Sequence, residues 1–222
     1  MRKQNIIIIL LMFASSSIYS ATSTPSVYKT TISKVELCSS SACSDPIVLG
    51  SGSKQFDIAS VSAQADVGTY LNDFTITLGR TYTHVRSTIN TTMTTKGTVD
   101  VSGTTCNTVA SPTVAAASAT ATAKTAPSGT LAEMDWVVPN VNGGGDYDNL
   151  TARYNANGIS KTDGASTFTF TVSLIAPYTP KATDIPKVSI KFDVADTLEA
   201  TTSGGACVLY LNPPVQTVNI LR

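Results

Sequence analysis

Two segments in the second half of the chain alternate strictly between apolar and polar residues. Residues 168–174 and 188–194 each place every apolar side chain on one parity, with threonine, serine or charged side chains on the other. Because successive side chains of a β-strand point to opposite faces, this pattern predicts strands with one buried face. One-sided burial is typical of antiparallel sheets, whereas strands of parallel α/β sheets are apolar on both faces. The two segments therefore predict antiparallel strands that pack against a second layer.

The composition also favours strands over helices. Only 14% of the residues are charged, and threonine, serine and valine are abundant, as in β-rich extracellular proteins whose exposed strand positions carry hydroxyl groups. All-β chains of this length often form one domain. We therefore predict an all-β fold, with a single antiparallel β-sandwich domain over residues 21–222.

One long stretch of that domain departs from the strand pattern. Residues 107–130 are mostly alanine, threonine, serine and valine, and include Pro112 and Pro127. The threonines and prolines oppose a helix, so we predict a long surface loop there. A poorly packed helix is the alternative, because alanine favours helices.

The N-terminus has the three parts of an export signal. Basic residues are followed by an apolar run over residues 6–14 and by small and polar residues up to Ala21. The run is shorter than the roughly 20 apolar residues that a membrane-spanning helix needs. We predict that residues 1–20 are a signal peptide cleaved after Ser20, and that the mature chain is secreted, periplasmic or on the cell surface with no membrane span. The alternative is a buried N-terminal strand in a protein that is not exported.

The charges argue against nucleic acid as a partner. The chain has 15 basic and 15 acidic residues, and neither sign is concentrated in one stretch. Phosphate binding needs a surplus of lysine and arginine on one face. We therefore expect partners other than nucleic acid.

The four cysteines predict a disulfide framework in an exported chain. Of the three possible pairings, we predict Cys38 with Cys43, which closes a short polar loop, and Cys106 with Cys207. The second bond closes a loop of about 100 residues and stabilises the fold by roughly 4.7 kcal/mol in the chain-entropy model. A structural zinc site is disfavoured, because the chain has one histidine and no Cys-x-x-Cys spacing.

The last part of the chain predicts two separate segments. The apolar run at residues 207–211 predicts a buried central strand that Cys207 pins to the first half of the chain. Pro213 and Pro214 then prevent ladder pairing, so residues 215–222 form a segment of their own. We expect this segment to pair within its own sandwich, since consecutive elements usually pack nearby. Pairing with the exposed edge of a neighbouring molecule is the alternative.

Two sets of side chains are candidates for ligand binding. Tyr82, His84 and Arg86 occupy alternate positions of a predicted strand, so an aromatic ring, an imidazole and a guanidinium share one face. Such a face suits an anionic or sugar ligand, although an exposed sheet face with cross-strand polar pairs gives the same pattern. Trp136 is the only tryptophan and a candidate for stacking on a sugar ring, and a core position is the alternative.

No motif in the chain indicates catalysis or a cofactor. The sequence has no Gly-x-Ser-x-Gly nucleophile elbow, and His84 has no local nucleophile as a partner. Asp146 and Asp148 follow three glycines and carry the oxygen ligands that calcium prefers. They lack the spacing of a helix-loop-helix calcium site, so a solvated hairpin tip is the favoured interpretation. We predict no enzymatic activity, no cofactor and no metal site.

Residues 79–86 run Gly-Arg-Thr-Tyr-Thr-His-Val-Arg, a turn followed by a tyrosine and a strand. This segment resembles the turn-Tyr-strand segment of uncharacterised bacterial exported surface proteins with an immunoglobulin-like or prealbumin-like β-sandwich. The resemblance implies that fold and an exported setting, and it carries over no functional residue. The absence of a catalytic motif, the disulfide-linked all-β core, the exterior rich in threonine and serine and the long loop suited to display lead us to predict a structural or adhesion protein. Such a protein, for example a surface-fibre subunit, contacts other surface proteins or itself. A glycan- or small-ligand-binding module is the alternative, and a hydrolase is third.

Overall fold

The computed structural model describes residues 19–60, 75–110, 123–126, 129–142, 149–184, 187–203 and 206–221. This part of the chain is built almost entirely of β-strands, with one short helix, which confirms the all-β prediction. No helix within these ranges has the length and hydrophobicity needed to cross a membrane. Residues 1–18, most of the predicted signal peptide, lie outside the described residues.

The strands of the first half are β1 (Tyr19–Ser23), β2 (Val27–Cys38), β3 (Ile47–Asp57), β4 (Tyr82–Asn90), β5 (Thr92–Lys96), β6 (Thr98–Val101) and β7 (Thr104–Asn107). Those of the second half are β8 (Ala123–Ala126), β9 (Met134–Val137), β10 (Ile159–Ser160), β11 (Thr167–Tyr178), β12 (Lys187–Asp193), β13 (Leu198–Ser203), β14 (Ala206–Leu211) and β15 (Val215–Leu221). Helix α1 (Thr151–Ala156) lies between β9 and β10 in the chain. The predicted cleavage point after Ser20 falls within β1.

The larger sheet contains nine strands. Most of them follow one another in the order β12, β15, β11, β4, β2, β5 and β9, while β3 pairs with β2 and β10 pairs with β11. The strand pairs of this sheet are antiparallel except β11 with β15, which run parallel. This exception to the antiparallel prediction arises because the chain enters β15 from β14, in the other sheet, and not through a hairpin from β11.

The two alternating segments form β11 and β12 and bury most of their apolar parity, as predicted. Their buried side chains, apart from Val194, belong to the main core, together with inward-facing residues of β2 and β4. The two strands do not pair directly, because β15 lies between them. The C-terminal segment thus pairs within its own chain, and Val218 at its centre is fully buried.

The smaller sheets share a hydrophobic core with β9. Strands β1, β13, β14 and β8 form a four-stranded sheet in that order, and β6 and β7 form a two-stranded sheet in contact with it. The predicted central strand at residues 207–211 lies in β14, between β13 and β8. Side chains from these strands and from β9 form a second core of Val99, Val101, Cys106, Met134, Trp136, Leu198, Ala200, Cys207 and Leu209.

The stretch predicted as a surface loop at residues 107–130 is not a loop throughout. Its residues 123–126 form β8, which pairs with β14 at the edge of the four-stranded sheet. Residues 111–122 and 127–128 lie outside the described residues. The loop prediction depended on weak local propensities, and backbone pairing with a neighbouring strand outweighs such preferences.

Both predicted disulfides are present. The bond between Cys38 and Cys43 closes the loop that follows β2. The bond between Cys106 and Cys207 joins β7 to β14 inside the second core and bridges a sequence separation of 101 residues. The long-range bond therefore connects the two halves of the chain.

Candidate functional site

The four side chains predicted to contact a ligand do not form one surface. His84 and Arg86 are half-buried on the face of the larger sheet that points away from the main core. Tyr82 and Trp136 are 0% and 1% exposed and lie in the two cores. Tyr82 leaves the face of His84 because the register between β4 and β11 shifts just before their last pair.

His84 and Arg86 take part in polar contacts across neighbouring strands. The ring nitrogens of His84 lie 2.8 Å from Thr83 Oγ1 and 3.2 Å from Ser173 Oγ. Arg86 Nε donates to Glu36 Oε2 over 2.8 Å. These contacts correspond to the alternative interpretation of the sequence, a sheet face of cross-strand polar pairs.

Glu36 is at the centre of this polar face and is only 2% exposed. Besides Arg86 it contacts Lys34, whose Nζ lies 2.9 Å from Glu36 Oε1. Burial by itself would raise the pKa of the Glu36 carboxyl, but hydrogen bonds from Arg86 and Lys34 outweigh burial and hold the pKa below its usual value. Each carboxylate oxygen therefore has a cationic partner, and the network stabilises the sheet.

A cavity of about 100 Å³ lies between the larger sheet, helix α1 and the segment that joins β14 to β15. We call it the aromatic pocket, because its walls include Tyr28, Trp136, Tyr154, Phe168, Phe170, Phe192 and Tyr210. Trp136 is the one sequence-predicted site residue that lines it. The position of this tryptophan agrees with the core alternative, and it also borders a space that a ligand can enter.

Strands β2 and β11 supply two walls of the pocket through simple alternation. Tyr28 and Thr30 occupy one parity of β2, and Phe168 and Phe170 occupy one parity of β11. Helix α1 contributes Tyr154. The prolines that prevent β14 from continuing into β15, at residues 213–214, also line the pocket.

Gly158 allows helix α1 to pack against this wall. It follows the helix with a φ of +68°, and a Cβ at this position would collide with the carbonyl oxygen of Thr171. The N–H of Thr171 donates to the carbonyl oxygen of Gly158 over 2.8 Å. Only glycine permits both the left-handed backbone and this close approach.

The polar atoms of two aromatic wall residues, Trp136 and Tyr154, bond to the protein itself. Trp136 Nε1 donates to Thr95 Oγ1, and the Tyr154 hydroxyl donates to the carbonyl oxygen of Pro139, each over 2.7 Å. Burial raises the pKa of the Tyr28 and Tyr154 phenols, so both rings stay neutral. The rings therefore contribute apolar surface to the pocket.

Few polar side chains border the aromatic pocket. Thr30 is 4% exposed, and its hydroxyl has no hydrogen-bond partner among the described residues. Arg153, Asn157 and Asn212 form what we call the rim, where the pocket meets solvent. Arg153 Nη2 donates to Asn212 Oδ1 over 3.2 Å, and Asn157 Nδ2 donates to the carbonyl oxygen of Arg153 over 2.8 Å. The site is thus an apolar chamber with a polar, cationic rim.

A second group of polar side chains connects the segments that follow β9 and β10. Lys161 Nζ donates to Asn140 Oδ1 over 2.7 Å, and the N–H of Gly164 donates to the same oxygen over 3.0 Å. Burial lowers the pKa of the Lys161 amine, and the charge of Asp163 opposes this shift. No local sequence pattern marked Lys161, and it does not line the aromatic pocket.

The turn that carries Asp146 and Asp148 is the one candidate for a metal site that the sequence offered. Among the described residues, no group of three or more histidine, cysteine or acidic side chains is arranged to hold a metal ion. Asp146 and Asp148 lie outside the described residues, so the calcium interpretation of their turn stays untested.

The aromatic pocket could not be located from the sequence. Alternation in β2 and β11 predicts buried faces, but a space between them depends on side chains from segments that are far apart in the chain.

Comparison with known proteins adds no relative, because no family model, curated protein or solved structure matches the chain.

Proposed function

We propose that the chain is an exported protein with an immunoglobulin-like or prealbumin-like β-sandwich, and that it binds a small ligand through an apolar group that enters the aromatic pocket, without transforming the ligand. The observation that carries the proposal is a cavity of about 100 Å³ with aromatic walls that opens at a polar rim. Protein interiors are close-packed and have few voids larger than a water molecule. Small-ligand sites, in contrast, are concave and mostly apolar, with a few placed polar groups.

The volume of the pocket limits the size of the group that enters it. An engineered cavity of about 150 Å³ with aliphatic and aromatic walls binds benzene. The aromatic pocket is smaller, at about 100 Å³. It therefore has room for at most one ring or a short branched aliphatic group, and the rest of the ligand would lie at the rim. A sugar ring is less suitable, because its hydroxyl groups would be buried against mostly apolar walls, where Thr30 carries the one buried hydroxyl without a hydrogen-bond partner among the described residues.

Fluorescence titration tests this proposal, because Trp136 is the only tryptophan of the chain and lines the pocket. We expect toluene and 3-methylbutanol to cause a saturable change in the emission of the purified protein. Leu211→Phe adds bulk to a residue that lines the pocket and should abolish the change. Leu131→Phe makes the same substitution at an exposed leucine outside the pocket and should not. Absence of saturable binding by the wild type, or equal binding by both variants, would contradict the proposal.

A structural or adhesive role at the cell surface, for example as a fibre subunit, is the second candidate. It is supported by the position of β12, which pairs with β15 alone in the described part of the chain. An open edge strand can accept a strand from another molecule. Electron microscopy of the purified protein and of the native cell surface distinguishes the candidates. Filaments favour assembly, whereas a monodisperse monomer that binds the small ligands favours the pocket.

A further inference from the structure

We infer that the ligand of the aromatic pocket is a small carboxylic acid, whose aromatic or short branched-chain part enters the pocket while its carboxylate pairs with Arg153 at the rim. The inference rests on the proposed function and specifies its ligand class. It depends on three observations: the charge state of the rim, the way in which the rim is held, and the volume of the pocket.

Arg153 carries a charge that no acidic side chain in the described part of the chain neutralises directly. Among the described residues, no carboxylate oxygen lies within 4.0 Å of its guanidinium. A guanidinium has five N–H donors in a planar fork that matches a carboxylate. One of these donors bonds to a neutral acceptor, Asn212 Oδ1. The remaining donors offer a ligand carboxylate the paired hydrogen bonds that arginine favours.

Asn212 holds the guanidinium at the rim and separates it from the nearby acid Glu199. Asn212 Nδ2 donates to Glu199 Oε2 over 3.2 Å, and its backbone N–H donates to the carbonyl oxygen of Thr197 over 2.8 Å. Glu199 is thus one amide group removed from Arg153, so the rim keeps its attraction for an incoming anion.

The volume of the pocket distinguishes small acids from lipids. A long acyl chain needs far more space than the 100 Å³ that the pocket provides, which is below the roughly 150 Å³ of a cavity that holds benzene. A single ring or a branched group of similar size fills the chamber, and a carboxyl group directly attached to it then reaches the rim. The geometry points to acids of the benzoate and 3-methylbutanoate type.

Matched pairs of ligands test the role of the charge. Benzoate and 3-methylbutanoate are compared with benzamide and 3-methylbutanamide, which have the same shape and no charge, by Trp136 fluorescence and titration calorimetry at low salt. We expect each acid to bind about tenfold more tightly than its amide, because hydrogen bonds to charged partners are the stronger ones. Added salt should weaken binding of the acids and leave the amides unchanged.

One arginine substitution and one lysine substitution test whether the preference for acids arises at the rim. Arg153→Gln should reduce the preference for the acids to about twofold or less and leave binding of the amides unchanged. Lys181→Gln removes the same charge from an exposed position outside the pocket and should keep the preference.

The possible results separate the inference from the proposed function. If acids and amides bind equally, or if Arg153→Gln keeps the preference, the carboxylate inference is overturned while the pocket remains a binding site. If neither acids nor amides bind the wild type while toluene and 3-methylbutanol do, the inference fails and the proposed function stands. If none of these compounds binds, both the inference and the proposed function fail.

Discussion

Glu36 illustrates how a charged side chain is retained on a covered sheet face. It is almost completely buried, yet Arg86 and Lys34 contact its two oxygens over 2.8 and 2.9 Å. Removing one partner of such a network leaves the others without compensation. We expect Glu36→Gln to lower the free energy of unfolding at pH 7 by about 2 kcal/mol, measured by urea denaturation.

The loss in Glu36→Gln should depend on pH with a defined sign. The folded pKa of Glu36 is lowered relative to an unfolded value of about 4.3. The stabilisation is therefore complete above the unfolded value and is lost as the pH falls through the folded pKa. Urea titrations should show the difference between wild type and variant shrink below about pH 4. The control is Glu133→Gln, which removes an exposed pair with Lys29 and should cost less than about 0.5 kcal/mol. A pH-independent loss in Glu36→Gln would contradict this account.

Alternation along a strand predicts the side of a residue only where the pairing is regular. It correctly placed His84 and Arg86 on one face, and it failed at Tyr82, which the register shift between β4 and β11 turns into the main core. The shift depends on β11, which is distant in the chain: Ser173 of β11 lies 89 residues after its contact His84 in β4. A local pattern contains no information about such a partner.

At the scale of the elements, β15 shows again that a local sequence pattern does not predict which strands are neighbours. Apolar alternation identified β11 and β12 and their buried faces, because burial is recorded in each strand separately. It did not reveal that β15 separates them, since hydrophobic period specifies which face is buried and not which strand is adjacent. β8 was missed because its alanine and threonine residues have little strand signal without the partner β14.

The central position of β15 predicts unequal effects for two valines on that strand. Val218 is fully buried between β12 and β11, whereas Val215 is 65% exposed. We expect Val218→Ala to lower the free energy of unfolding by about 2 kcal/mol, since it leaves a cavity in the core. Val215→Ala should change it by less than about 0.5 kcal/mol. Urea denaturation of the monomer measures both. If β15 served a neighbouring molecule instead, Val218→Ala would weaken assembly and leave the stability of the monomer unchanged.

At the scale of the whole molecule, the aromatic pocket is formed by elements that lie far apart in the chain. Its walls combine β2, β9, α1 and β11 with the turn between β14 and β15. The sequence of each element determines which of its faces is buried. The space between the elements depends on how completely their side chains fill the region where they meet. The disulfide pairing, in contrast, could be predicted, because four cysteines allow only three pairings.

The two disulfides should contribute very differently to the stability of the whole molecule. The bond between Cys106 and Cys207 bridges 101 residues, and that between Cys38 and Cys43 bridges 5. A cross-link stabilises the fold mainly by restricting the unfolded chain, and the restriction grows with loop length. We expect replacement of the long-range pair by alanine to lower the free energy of unfolding by about 4 to 5 kcal/mol, and replacement of the local pair by about 2 kcal/mol. All four cysteines are buried, so the local pair serves as the matched control for lost packing. Urea denaturation of the two double variants measures the difference, and equal losses would show that packing, and not loop length, determines what these bonds contribute.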